Sequence, residues 1–383
     1  QQRTFGNSTK SSMPAVQSAS RMIDRGPGGK NIDQSQVRLR VICVPQAGMG
    51  GWAFHGWQEQ LPPAVEVLPI ELPGRGNRMQ EAKPANMSEL IAGLLDGLSS
   101  LGAFDKPYVL LGHSLGAWVA FEMLAELLRR GSTAPLLFIA SGIRPPHLNA
   151  LEHDADPIAK QISTLDDMGF WQHFSRRYGN NPDLADDGMR SFVLPLLRAD
   201  FKLLETYSPT LSESPLPCPV VACAAVGDPR ILPGQIAGWS GYAAEGNFRE
   251  RTFQTTPLSW SNPHRYLIES PRVFLDFLAL ECEALLMPSA FANLQPAKAP
   301  PTAANGASQV GTLEELFAEA GCSAPAEVTA GHALADWVSS LQAGRPAFLK
   351  TLVGVGIARL ADRQKIANTL SRAMREGRVC TSG

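Results

Sequence analysis

The segment Tyr108-Val-Leu-Leu-Gly-His-Ser-Leu-Gly-Ala117 sets a serine between two glycines, each two positions away. An apolar run precedes it and a helix-forming run, Ala117 to Arg130, follows. Strand, sharp turn and helix in that order make a nucleophile elbow. Gly112 and Gly116 lack side chains where strand and helix must approach, and Ser114 takes strained backbone angles that lift its hydroxyl clear of the sheet. The following helix aims its unpaired N–H groups at any oxyanion formed there. The chemistry this permits is nucleophilic attack on an acyl carbon.

An attacking hydroxyl needs a base, and in this chain order the base comes last, after an acid. Among seven histidines only His264 and His332 follow the last strand-like run. His332 falls in a C-terminal helical stretch beyond a linker, so His264 is the expected base. His113 adjoins the serine but points elsewhere on the elbow and reads as a packing residue. His55, His147, His153 and His173 precede the acid or sit in an insertion, where solvated positions are expected. The acid belongs on the loop after the penultimate strand, Val220 to Val226, which ends in Gly227-Asp228-Pro229. Asp228 would hold the His264 tautomer; an Asp that merely shapes a Gly-Asp-Pro turn is the alternative.

The oxyanion needs a second donor from the loop after an early strand. Val41-Ile-Cys-Val-Pro-Gln-Ala-Gly-Met-Gly-Gly51 supplies strand and glycine-rich loop, with Leu115 N–H and Ala47 N–H as expected donors and Gln46 N–H as the alternate. A phosphate cradle fits poorly, because neither a G-x-G-x-x-G pattern nor a Gly-Lys-Ser/Thr follows.

The elements that must position these groups are legible as short apolar runs alternating with helical segments, the pattern of a parallel sheet with helices on both faces. Strands are expected at Leu39 to Val44, Val65 to Ile70, Tyr108 to Gly112, Leu136 to Ser141, Val220 to Val226 and Phe248 to Phe253. Helices are expected at Met87 to Leu101 and Ala117 to Arg130, the second closing on Arg129, Arg130 and Gly131. The fold class is α/β, an α/β-hydrolase with a mostly parallel central sheet. Residues of about 147–206 interrupt the alternation with a polar, helical stretch carrying Phe170, Trp171 and Phe174, expected to form a helical lid.

Residues 1–36 are rich in Ser, Gln, Gly and Asn and are expected to be a disordered arm. The hydrolase domain then runs over 37–286. A Pro/Ala-rich linker follows at 287–311, and 312–383 reads as a small all-α module.

Hydrophobic residues make up 44% of the 383, charged residues 18%, and the net charge is -2. That balance gives no electrostatic case for nucleic acid or an anionic membrane. No apolar run approaches the roughly 20 residues a bilayer demands, and the first thirty residues lack a secretory core. A cytoplasmic protein is expected, with an organelle such as a plastid as the alternative given the basic, Ser-bearing start. The six cysteines form no C-x-x-C pair, so free thiols are expected, with Cys43 and Cys223 as small buried hydrophobes.

Residues 37 to about 280 resemble the type II thioesterases of polyketide and nonribosomal peptide synthesis. Beyond the elbow, Val44-Pro-Gln-Ala-Gly48 is similar to that family's oxyanion loop and Leu72-Pro-Gly-Arg-Gly-Asn-Arg78 to its second-strand signature. Leu197-Arg-Ala-Asp-Phe201 with Glu205-Thr-Tyr207 resembles its lid-exit motif. Two positions depart from the pattern. The chain reads Ser261-Asn-Pro-His-Arg-Tyr266 where the family usually places a glycine and another small residue before its histidine, and a single Asp precedes Pro229 where relatives often show two.

The resemblance implies a Ser114, Asp228 and His264 triad. It implies hydrolysis of acyl thioesters held on the phosphopantetheine of an acyl or peptidyl carrier protein, or on CoA, in polyketide, nonribosomal peptide or fatty acid synthesis. No metal or bound cofactor is implied. An acyltransferase or oxygen-ester hydrolase on the same fold is the nearest rival, and a catalytically silent scaffold is a rival of another class. Gly356-Ile-Ala-Arg-Leu-Ala-Asp-Arg-Gln-Lys-Ile366 faintly resembles a sterile-alpha-motif-like helical domain. That likeness implies protein docking or self-association through residues 312–377.

Overall fold

The short apolar runs are realised as one sheet with two buried faces. The computed structural model describes residues 20–26, 32–156, 161–210 and 215–287, then 311–320, 322, 333–342, 345–355 and scattered positions to 379. Six parallel strands are β1 (Leu39–Val44), β2 (Val65–Pro69), β3 (Tyr108–His113), β4 (Leu137–Ser141), β5 (Val220–Ala225) and β6 (Phe248–Phe253), in the order β2-β1-β3-β4-β5-β6. Each expected strand is present, with ends shifted by at most a residue. Val226, expected inside β5, lies beyond its end and is exposed.

One face of the sheet presents Ile42, Val44, Leu68, Leu110, Phe138 and Val220 to α1 (Met87–Ser100) and α2 (Leu115–Arg129). The other presents Val41, Cys43, Val67, Leu111, Ile139 and Val221 to Phe54, Trp57 and the helix Pro271–Leu286. Neighbouring residues of one strand therefore serve opposite layers, and each fully buried large apolar side chain contributes about 1.5–3 kcal/mol. Helix α1 begins where Asn86 accepts from the Glu89 N–H at 2.9 Å. Cys43 and Cys223 lie within the sheet, where burial pushes both thiols up and leaves them unreactive. Of these six strands only β6 shows an exposed run, Arg249-Glu250-Arg251-Thr252, as suits an edge strand.

Between β4 and β5 come α3 (Asp167–Tyr178) and α4 (Asp187–Glu205), in the region where helical structure was expected. The helix Pro271–Leu286 is α5. Ile162, Phe170, Leu194, Leu197 and Phe201 give α3 and α4 their own apolar contact.

The expected disordered arm is corrected in part. Residues 20–26 dock on the domain: Met22 is buried, Ile23 bridges Ile70, and the Glu71 N–H donates to Met22 O at 2.8 Å. The low apolar content of the whole arm concealed one methionine that fills a gap beside Gly97 in α1. Residues 1–19 and 27–31 lie outside the described residues.

Glu71, anchored by that contact, carries a built-in pH dependence. Burial is the largest influence on its carboxyl, Asp24 adds to it, Arg75 and Arg78 oppose it, and the pKa rises from 4.5 to about 7. Within that window the folded chain keeps a proton that the unfolded chain has released, so stability falls as pH rises. Glu71→Gln is expected to shrink the loss in Tm between about pH 5 and about pH 8 relative to the parent. Melting curves at both pH values check it, and an identical loss in both proteins would exclude Glu71 as the source.

The chain divides into two compact units, residues 1–292 and 293–383. The second contains helices Leu313–Glu319, Leu334–Gln342 and Arg345–Gly354. Thr312 and Glu315 form a capping box at the first, and Leu316, Phe317, Trp337, Phe348 and Leu352 build a separate core. The expected linker falls almost wholly outside the described residues, as do His332 and most of the segment from Gly356 to Ile366.

Candidate active site

Ser114 has φ 53° and ψ −124°, the one positive φ among the described non-glycine residues. The strain is held by sterics on both sides. A Cβ on Gly112 would lie 2.1 Å from Gly116 O, and one on Gly116 would lie 2.2 Å from Val44 O. The Ser114 N–H is tied to Ser141 O at 2.8 Å on the neighbouring strand. Cost in backbone energy is thereby exchanged for a fixed hydroxyl direction.

His264 Nε2 lies 3.1 Å from Ser114 Oγ, and His264 Nδ1 lies 3.0 and 3.2 Å from the two Asp228 oxygens. In this arrangement Nδ1–H donates to the carboxylate and Nε2 accepts from the serine. Asp228 also accepts from the Arg230 N–H at 2.8 Å. Burial by itself raises the Asp228 pKa, but the His264 charge and hydrogen bond with the Arg230 N–H outweigh it, and the carboxyl stays below its ordinary value. The side chains of His264 and Asp228 are 2% and 1% exposed, so water does not compete for their contact.

His113 is not a bystander in packing. Burial, then the charge of His264, pulls its pKa down to about 3, so the ring is neutral. Its Nε2 lies 2.9 Å from His264 O, an acceptor, which fixes the proton on Nε2 and makes Nδ1 an acceptor. Ser141 Oγ therefore donates to Nδ1 at 2.8 Å, and Tyr266 OH donates to Ser141 Oγ at 2.6 Å. This chain grips the backbone of the base residue. The sequence offered no signal for it beyond the buried position of His113.

The Ser261-Asn-Pro departure also has a structural use. Asn262 Oδ1 accepts from the His264 N–H at 3.1 Å, and Asn262 Nδ2 donates to Arg177 O at 2.8 Å. The amide side chain shapes the loop and ties it to the end of α3.

Leu115 is the first residue of α2, so its N–H has no intrahelical acceptor. On the facing loop the Gly48 N–H donates to Asp200 Oδ2 at 2.7 Å and the Met49 N–H to Gln46 O at 3.1 Å. The Ala47 N–H has no partner among the described residues. Arg75 clamps this loop: Nη1 donates to Met49 O at 2.9 Å and to Asp200 Oδ2 at 2.8 Å, while Nη2 donates to Asp200 Oδ1 at 2.7 Å. Three of the sequence motifs thus meet at one buried ion pair. The motifs were visible in the sequence, but the function of Arg75 and Asp200 was not.

A cavity opens beside Ser114 and His264, lined also by Trp118, Tyr178, Phe201 and Leu204. Helices α3 and α4 supply Tyr178, Phe201 and Leu204. His55 and His147 are exposed and His153 and His173 partly so, all on the periphery.

A parallel sheet with helices on both faces, an elbow serine and an aligned His–Asp pair define a hydrolase of the α/β-hydrolase class. Comparison with known proteins narrows the class. Residues 39–274 match the thioesterase domain family, and the chain belongs to it. The gramicidin S biosynthesis protein GrsT of Aneurinibacillus migulanus is 29% identical over 258 residues, spanning 66% of this chain and 93% of that protein. Thioesterase PikA5 of Streptomyces venezuelae is 34% identical over 208 residues, 52% of this chain and 68% of that one. Among solved structures, the RedJ thioesterase of the prodiginine pathway in Streptomyces coelicolor superposes with a TM-score of 0.54. It has 32% identity over 65% of this chain and 88% of that one. The enzyme is a hydrolase of thioesters. No helix among the described residues is long and apolar enough to cross a membrane.

Proposed function

We propose that the protein is a type II thioesterase that removes acyl groups from the phosphopantetheine arms of carrier proteins in nonribosomal peptide or polyketide synthesis, with Ser114, His264 and Asp228 as its triad. The unbroken contact from Ser114 Oγ through His264 to Asp228 carries this reading. The names of GrsT, a gramicidin S biosynthesis protein, and of thioesterase PikA5 support this pathway, and the carrier partner is what the resemblance to type II thioesterases implies.

In the first step His264 Nε2 takes the Ser114 proton as Oγ bonds to the thioester carbonyl carbon. Leu115 N–H and Ala47 N–H receive the oxyanion, and Asp228 steadies the imidazolium. Collapse expels the thiolate, which takes the proton from His264 and leaves an acyl-serine. Water then attacks by the same route, giving its proton to His264, and the acid departs as Ser114 is reprotonated. A thiolate leaves readily, so positioning and oxyanion stabilisation carry most of the work; one lost donor costs about 3 kcal/mol. The helices α3 and α4 act as a lid, with residues 37–286 as the catalytic domain. No cofactor takes part in any step.

The test is turnover of an acylated carrier protein beside a p-nitrophenyl ester of the same acyl group, with fluorophosphonate labelling read by peptide mass. Expected are thioester hydrolysis with the label on Ser114. Ester turnover without thioester turnover would reassign the enzyme to oxygen esters. Transfer of the acyl group to an added alcohol or amine in place of water would make it an acyltransferase. An unlabelled Ser114 with no turnover would leave a scaffold.

A further inference from the structure

The wall of the cavity beside Ser114 is not that of a hydrocarbon channel. Arg144, Arg177 and Arg230 line it with Asp154 and Glu205, so guanidinium groups outnumber carboxylates. Glu205 already accepts from the N–H groups of Ile162 and Ser163 and from the Ser163 hydroxyl. Asp154 is shared: Arg230 Nη2 donates to its oxygens at 2.6 and 2.7 Å, and Arg144 Nη1 reaches it at 3.4 Å. Asp156, behind the wall, is shared by Arg176 and Arg177. Among these lining groups the guanidinium groups exceed the carboxylates by one, with those of Arg144 and Arg230 lying over the Trp118 and Tyr178 rings.

The donor count agrees with the charge count. Arg177 uses Nε and Nη2 on Asp156, and Arg230 uses only Nη2. Arg177 Nη1 and Arg230 Nε and Nη1 have no acceptor among the described residues, although the two side chains are only 4% and 8% exposed. These donors are not sealed inside the protein but reach the open space of the cavity, where an acceptor could meet them. Burial lowers the pKa of Arg144 and the like charge of Arg230 adds to that against Asp154, whereas at Arg230 burial is outweighed by Tyr178 and Asp154, which raise its pKa. Arg230 is also near the chemistry, since its own N–H donates to Asp228.

We propose that this cavity selects acyl groups bearing a carboxylate, which Arg177 and Arg230 receive through their spare N–H groups. The proposal rests on the thioesterase reading and names the substrate class for that same site. The other anion on such a substrate, the phosphate of the phosphopantetheine arm, sits at the far end of that arm from the reacting sulfur. These arginines flank the reacting residues, which favours the acyl carboxylate.

N-acetylcysteamine thioesters lack that phosphate and separate the two sources. The experiment compares glutaryl and adipyl thioesters with pentanoyl and hexanoyl thioesters on the full chain, and adds the uncharged methyl adipyl thioester. A kcat/KM higher by about tenfold or more is expected for the carboxylate-bearing substrates, the scale of one charge-assisted hydrogen bond, with methyl adipyl behaving like hexanoyl. In Arg177→Met and Arg230→Lys the ratio of adipyl to hexanoyl turnover falls toward one. Equal or faster hydrolysis of the uncharged acyl groups by the parent enzyme overturns the proposal and leaves the thioesterase intact. A preference for CoA thioesters irrespective of acyl charge also overturns it, by placing the phosphate on the arginines. No turnover of any thioester removes the thioesterase reading and this proposal together.

Discussion

His264→Ala is expected to lower kcat for thioester hydrolysis by roughly 10⁴-fold or more, and Ser114→Ala by a similar factor. The double variant falls no further, because the imidazole acts only through the hydroxyl it deprotonates. The geometry gives the reason. Ser114 Oγ has His264 Nε2 at 3.1 Å, and the imidazolium that forms is met by Asp228 at 3.0 Å. Among the described residues His113 is the one other imidazole beside the elbow, and its nitrogens are occupied by His264 O and Ser141 Oγ while burial keeps it neutral. It cannot replace the lost base. Steady-state kinetics on an acylated carrier checks the pair of single variants and the double. Retention of activity within about tenfold in His264→Ala would assign the proton transfer to another group.

The sequence made the sheet and the proposed triad legible for different reasons. Strands such as β3 and β5 are buried on both faces and so read as unbroken apolar runs, and their ends were placed within a residue. Ser114, Asp228 and His264, which the structure brings into contact, could be proposed together because the elbow is local and the chain order of acid and base is restricted. What the sequence hid is held by contacts between distant segments. His113 and His264 O are 151 positions apart, and Arg75 and Asp200 are 125 apart. The arginine wall draws Arg144, Arg177 and Arg230 from three separate segments, each of which alone reads as a solvated cation. Met22 was hidden in another way, as a single apolar residue in a polar stretch.

Asp200→Ala is expected to destabilise the fold by about 3–5 kcal/mol, since it strands a buried guanidinium without its carboxylate. Arg75 and Asp200 are 6% and 1% exposed, and their two contacts of 2.7 and 2.8 Å are shielded from water. Activity depends on the same pair by another path. Asp200 holds the Gly48 N–H, and Arg75 holds Met49 O, so together they set the loop on which Ala47 presents its donor. Misplacing that donor is expected to lower kcat by roughly 10²-fold in protein that remains folded. The two effects separate in Arg75→Met with Asp200→Leu. An apolar pair removes the stranded charge and is expected to recover most of the stability. It cannot hold Gly48 or Met49, so kcat stays low. Chemical denaturation and turnover of both variants test this. Recovery of kcat along with stability would reduce the ion pair to a structural part and deny it any hold on the oxyanion loop.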